Sequence, residues 1–202
     1  MIAAILLAAG ASRRMGSPKA LLPWGGTSLI SWELNQLMES SVEELVVVLG
    51  SRSEDIRRTL GNSAKYSVFN QLWTSGRATS LVRGAKALIQ RGTAMPQATV
   101  IQNVDQPTRS DIIDFLVKEL MHSGADAIQP EYHGHGGHPV VIASHMVPLL
   151  LGAEERTFGL RGVLKHHPPL RIPMNDEPVV AVDIDTPDKI TSARKLFSIA
   201  DP

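Results

Sequence analysis

Residues 7–19 read Leu7-Ala8-Ala9-Gly10-Ala11-Ser12-Arg13-Arg14-Met15-Gly16-Ser17-Pro18-Lys19 and follow without a break on the apolar run Ile2–Leu7. A segment this apolar is expected as a strand buried on both faces of a sheet. It opens directly into a loop of small residues that carries three cations. Glycine and alanine let the main chain come close to a ligand. Successive loop N–H groups can form an anion-binding concavity. Arg14 and Lys19 add the full positive charges that a polyphosphate requires.

The rest of the chain repeats the theme of a short apolar run followed by a helical pattern. Strands are expected at Glu44–Leu49, Tyr66–Phe69, Thr99–Gln102, Asp126–Pro130, Pro139–Ile142, Leu170–Pro173 and Val179–Ile184. Helices are expected from an N-cap at Ser28 to about Glu39, with Leu29, Ile30, Leu34, Leu37 and Met38 facing inward, and at Ser53–Leu60, Thr79–Gln90, Arg109–His122, Phe158–His166 and Thr186–Phe197. This alternation argues for a three-layer α/β/α fold with a mostly parallel, Rossmann-like sheet. Such sheets bind ligands beyond the carboxyl ends of their strands, which puts the first loop at the site. At 202 residues the chain suits a single domain. The stretch 131–176, rich in proline, glycine and histidine, is a candidate subdomain over the sheet.

Twenty basic residues balance twenty acidic ones, so no general attraction to nucleic acid or to a membrane surface is expected. The absence of cysteine excludes disulfides, zinc–thiolate sites and cysteine-bound iron–sulfur clusters. The apolar start has no basic segment before it and is read as a strand rather than a secretory signal. The expected location is the cytoplasm.

Four further segments carry candidate chemistry. In Val100-Ile101-Gln102-Asn103-Val104-Asp105-Gln106-Pro107 an acid stands at a strand's carboxyl end, a position suited to a hard divalent cation shared with phosphate oxygens; a turn aspartate is the plainer alternative. In Asn70–Gly84, Gly76 permits close approach of a base and Ser80 can read its edge, although Ser80 also suits a helix's first turn. In Val182-Asp183-Ile184-Asp185-Thr186-Pro187, two acids on one strand would face the same side, and a helix cap is the alternative. Tyr132–Pro139 holds three histidines in a glycine-rich turn, a poor preorganised cage for a transition metal.

The first loop has neither the phosphate-loop spacing nor that of a dinucleotide-binding loop. Leu-Ala-Ala-Gly-x-Ser-x-Arg-Met-Gly-x-x-Lys followed by Leu21-Leu22-Pro23 resembles the opening of the nucleotidyltransferases that activate sugars and cofactors. It is most like the MobA-like molybdenum cofactor cytidylyltransferases. The likeness extends from residue 2 to about 195. Val104, with polar Gln102-Asn103 before it, departs from the family's glycine and apolar residues. The resemblance implies transfer of CMP from CTP to the phosphate of a molybdopterin-type acceptor, with release of pyrophosphate. It implies nucleotide contacts from Leu7, Ala8, Ala9, Gly10, Ser12, Gly76 and Ser80. Arg14 would hold the leaving phosphates, Lys19 the α-phosphoryl, and Asp105 with Asp185 (Asp183 in reserve) a Mg2+ ion. His138 and Arg161 would face the acceptor; a structural histidine and a surface ion pair are the alternatives. A molybdenum hydroxylase apoenzyme would receive the product. Guanylyl-transferring relatives more often show Leu-Ala-Gly-Gly, which favours CTP. A GTP-using or sugar- or alcohol-phosphate enzyme of the same superfamily, and a non-catalytic cofactor-binding accessory protein, are the competing readings.

Overall fold

The computed structural model describes residues 1–12, 15–91 and 94–200. The elements run β1 (Ile2–Ala8), a small hairpin β2 (Pro23–Trp24) and β3 (Thr27–Ser28), α1 (Leu29–Glu39), β4 (Glu44–Leu49), α2 (Ser53–Leu60), β5 (Ser67–Phe69), α3 (Arg77–Arg91), β6 (Ala98–Asn103), α4 (Ser110–Ser123), β7 (Ala127–Tyr132), β8 (His135–Gly136), β9 (Val140–Ala143), α5 (Leu160–His166), β10 (Leu170–Pro173) and α6 (Pro187–Leu196). The main sheet has the order β10-β7-β9-β6-β1-β4-β5, with β8 paired to β7. Strands β4 and β6 flank β1 in parallel, β5 continues in parallel from β4, β9 runs antiparallel between β6 and β7, and the short β8 pairs antiparallel with β7.

The central strands are apolar on both faces because both faces are covered. Leu6, Val47 and Leu49 pack against α1, α2, α4 and α6 through Leu34, Leu37, Ile56, Leu116 and Ala193. Ile5, Val46 and Val48 pack on the opposite side against Leu81, Ala85 and Leu88 of α3. Neighbouring residues of one strand therefore feed different cores, as period-two alternation requires. The expected three-layer arrangement is the one formed. Ser28 caps α1 as its position suggests, its hydroxyl accepting the Ser31 N–H at 3.3 Å. The hairpin, α1 and the end of α6 meet through edge-on rings of Trp24, Trp32 and Phe197, with centroids 5.2–6.2 Å apart. No helix among the described residues is long and apolar enough to cross a membrane.

One expected strand is absent. Val179–Ile184 is a 3-10 turn over Pro178–Ala181 followed by unpaired chain. Its valines and Ile184 are buried all the same, and periodicity cannot separate a buried irregular segment from a strand. Pro178 opens the turn and brings no N–H to a ladder. The segment's polar groups are used singly instead: the Val180 carbonyl accepts from His138 N–H and Ile184 N–H donates to the Asp105 carbonyl, both at 2.8 Å. This irregular run ties the end of the chain to the carboxyl end of β6.

Gly50 sets how closely the loops converge there. Ser51 N–H donates to the Ala9 carbonyl at 3.0 Å. A Cβ on Gly50 would stand 2.6 Å from that same oxygen and 2.6 Å from Trp73 Cβ. Gly50→Ala should therefore force the first loop and the Trp73 loop apart and cost about 1–3 kcal/mol. Thermal unfolding of the variant checks this; a melt superimposable on wild type would show that the loops are not held at this spacing.

Candidate active site

Strand β1 ends at Ala8 and the chain passes over the carboxyl edge of the sheet. Leu7, Ala8, Ala9, Gly10, Ala11 and Ser12 form one wall of a crevice of about 380 Å³. Ser12 takes a left-handed conformation (φ 51°) and its hydroxyl accepts the Lys19 N–H at 2.9 Å. That bond folds the loop back on itself. Pro18 leads the 3-10 turn Lys19–Leu21 that fixes the direction of the Lys19 side chain. Arg14 lies outside the described residues.

The β6 strand delivers its acid from the other side of β1. Val104 N–H donates to the Leu7 carbonyl at 3.0 Å, so the chain keeps its register with β1 just past the strand end. Asp105 follows at once. Lys19 Nζ donates to Asp105 Oδ2 at 2.8 Å and to Asp185 Oδ1 at 2.9 Å. The lysine side chain is 9 % exposed. Burial works to lower its pKa, but the hydrogen bonds and charges of Asp105 and Asp185 outweigh burial and hold the ammonium above its ordinary value. Asp183 joins the cluster: oxygens of Asp105, Asp183 and Asp185 lie within 4.8 Å of one another. Burial, then the charges of Asp105 and Asp185, raise the Asp183 carboxyl, with Lys19 and Lys189 opposing. The two acids meet Asp105 from an irregular segment, not from one strand face as the sequence suggests. Three hard oxygen donors crowded on one partly buried ammonium form a set that fits a divalent cation such as magnesium.

The far wall of the crevice comes from Trp73, Thr74, Gly76, Arg77 and Ser80, at and before the start of α3. Ser80 is buried and its hydroxyl accepts from Asn70 Nδ2 at 3.0 Å. Gly76 has no room for a side chain, since a Cβ there would stand 2.4 Å from Cδ of Glu155. Glu155, which the sequence reading leaves unremarked, lines the crevice and accepts the Ala78 N–H at 2.9 Å. It sits in a short exposed turn with no pattern around it, so only the fold reveals its place.

His138 and Arg161 do not form part of this wall. Burial depresses the His138 imidazole to about 4, the charge of Asp105 opposes that shift, and the charge of Arg161 adds to it. His145 Nε2 and His167 Nδ1 both meet Asp126, at 2.9 and 2.7 Å, away from the three-aspartate cluster.

Comparison with known proteins bears on the family and the fold. The profile of the MobA-like NTP transferase domain matches residues 4–171. The chain is 26% identical to nicotine blue oxidoreductase of Paenarthrobacter nicotinovorans over 198 residues, covering 94% of each chain. It is 25% identical to molybdenum cofactor cytidylyltransferase of Escherichia coli over 197 residues, covering 96% of each. A nucleotidyl transferase from Methanothermobacter has the same fold, with a TM-score of 0.76, 20% identity and 98% of both chains covered.

The buried imidazole has a consequence for acid stability. His138 titrates near 4 in the fold against 6.5 when free. Between those values the unfolded chain binds the extra proton, so His138 contributes a loss of stability as pH falls from 6.5 towards 4. His138→Gln should flatten that part of the stability–pH curve, measured by denaturant unfolding at stepped pH. An acid limb equally steep in the variant would mean that the imidazole is charged in the native state.

Proposed function

We propose that this chain, which belongs to the MobA-like NTP transferase family, moves a cytidylyl group from CTP to the phosphate of a molybdopterin-type acceptor and releases pyrophosphate. That it is a nucleotidyltransferase follows from the family; the nucleotide and the acceptor are the proposal. The observation that carries it is the meeting of Lys19 with Asp105 and Asp185 beside the loop Leu7–Ser12. A relative of equal similarity is named an oxidoreductase. Three carboxylates gathered about one buried ammonium serve phosphoryl chemistry directly, and this favours the transferase reading. The cytidylyl choice is supported by Leu-Ala-Ala-Gly in the first loop and by the Escherichia coli relative that matches over nearly its whole length.

The roles are part of this proposal and rest on the family resemblance, which the positions of the side chains support. The backbone of Leu7, Ala8, Ala9, Gly10 and Ser12 faces the nucleotide, and a Cβ on Gly10 would meet nothing within 4 Å, so the main chain there borders open space. Gly76 and Ser80 stand at the base end of the crevice. Lys19 is directed at the α-phosphoryl group, where it stabilises charge as the acceptor's phosphate oxygen attacks phosphorus and the bond to pyrophosphate breaks. Arg14, assigned from the sequence alone, holds the leaving phosphates. Asp105 and Asp185, with Asp183 beside them, would hold Mg2+, which when bound supplies neutralisation of the phosphate charge. An acceptor phosphate is already ionised near neutral pH, so no general base is needed. His138 and Arg161 are assigned to the acceptor on the family resemblance, and both lie outside the wall that faces the nucleotide. A molybdenum hydroxylase apoenzyme is the proposed recipient of the product.

A panel of the four nucleoside triphosphates, each with Mg2+ and with or without molybdopterin cofactor, tests this by pyrophosphate release and product mass. CTP with the cofactor should give pyrophosphate and a product heavier by one cytidylyl group. Preference for GTP, or turnover only with a sugar or alcohol phosphate, would replace the proposed substrates. Lys19→Ala should lower kcat/KM on the order of 10²- to 10³-fold; unchanged turnover would remove the lysine from the reaction.

A further inference from the structure

Helix α1 carries an acid where its pattern calls for an apolar residue. Glu33 lies on the same face as Ile30, Leu34 and Leu37 and is fully buried (0 % exposed). Burying an ionised carboxylate without a partner costs several kcal/mol in a protein interior. Among the described residues neither Glu33 oxygen has a hydrogen-bond partner, and the same is true of Gln102 Oε1 and Thr108 Oγ1. The Gln102 side chain and the Thr108 backbone lie close enough to act on the Glu33 carboxyl and favour its ionised form, while the charge of Asp105 disfavours it. Burial dominates and pushes that carboxyl well above the usual carboxylate range. A neutral acid resolves the unpaired atoms together. Its O–H can donate to Gln102 Oε1, and its carbonyl oxygen can accept from Thr108.

Gln102 and Thr108 bound the loop that presents Asp105. Both are buried, at 0 % and 1 % exposure. The Gln102 amide also donates to the Asn103 carbonyl at 3.3 Å and, more closely, to the Gln106 carbonyl. Asn103 Nδ2 donates to Gln106 Oε1 at 2.6 Å, and Gln106 N–H donates to the Asn103 carbonyl at 3.0 Å. Polar residues at 102 and 103, out of place on an apolar strand, thus belong to one hydrogen-bonded set within the loop, with Gln102 Oε1 left over to meet Glu33.

We infer that Glu33 is a positioning residue for Asp105: joined to Gln102 and Thr108, it grips both ends of the 102–108 loop from beneath and fixes the direction in which the acid faces the crevice. The link to function rests on the proposed metal role of Asp105. Buried partners of this kind orient ligands that they do not themselves supply, and their loss lowers metal affinity about 10- to 100-fold.

The test uses the whole chain in five forms: wild type, Glu33→Gln, Glu33→Val, Gln102→Leu and the Glu33→Val/Gln102→Leu double variant. Mn2+ binding is followed by electron paramagnetic resonance. Amide hydrogen exchange of residues 103–108 is followed in metal-free protein, with the amides of β4 as internal reference. Glu33→Gln keeps a donor for Gln102 Oε1 and should retain wild-type Mn2+ affinity and exchange. Glu33→Val should bind Mn2+ about tenfold or more weakly and exchange faster at 103–108 than at β4. The double variant removes both buried polar groups, so it keeps an apolar core if Glu33→Val alone does not fold. It should show the same weak Mn2+ binding, with effects that do not add because the pair acts as a unit. Wild-type Mn2+ affinity and uniform exchange in Glu33→Val, or in the double variant, would overturn the inference whatever happens to the melting temperature. Failure of wild type itself to bind Mn2+ would end the metal role of Asp105, and the exchange pattern alone would then decide whether Glu33 braces the loop.

Discussion

One ammonium group holds the carboxyl edge of this sheet together. Lys19 reaches from the first loop to Asp105, at the end of β6, and to Asp185, near the end of the chain. Those contacts join residues 86 and 166 positions apart in sequence. Without the lysine, three acid side chains within 4.8 Å would face one another partly out of water, an arrangement whose repulsion the fold would have to absorb. With it, the loop, the strand end and the irregular segment before α6 are drawn to one place. The same contacts gather one ammonium and three carboxylates at the mouth of the crevice.

The sheet makes this convergence possible. Parallel neighbours β4 and β6 place their carboxyl ends beside that of β1, so the loops that follow all three strands open on the same side. Gly50 after β4 lets one of these loops touch Ala9 and Trp73. Asp105 after β6 supplies the acid. The segment Pro178–Ile184 forgoes strand pairing and instead gives Ile184 N–H to the Asp105 carbonyl. Binding chemistry and packing are therefore hard to separate here, because the backbone bonds that close the fold are also the bonds that aim the site.

Much of this was legible in the amino-acid order. Glu44–Leu49, Ser53–Leu60 and Leu170–Pro173 form the expected elements residue for residue, since each combines a clear period with flanking turn or cap residues. Lys19, Asp105, Asp183 and Asp185, singled out from three separate motifs, lie together in the fold. The strand expected at Val179–Ile184 did not form, because burial alone does not demand a ladder. Glu155 gave no signal: its importance comes from lying against Gly76, 79 positions away, through tertiary packing that no local pattern encodes. Glu33 carried a weak one. It breaks an apolar face, and Gln102 breaks an apolar strand, but only their proximity turns two local exceptions into one feature.

The most direct test of the central claim is a crystal structure with Mn2+ and a non-hydrolysable CTP analogue, with the ion located by its anomalous scattering. The ion should lie within coordinating distance of Asp105 and a second acid from Asp183 or Asp185, with Lys19 turned to the α-phosphoryl group and the loop Leu7–Ser12 along the nucleotide. An analogue bound elsewhere, with Lys19 still closed on Asp105 and Asp185 and no anomalous peak among the three acids, would contradict it.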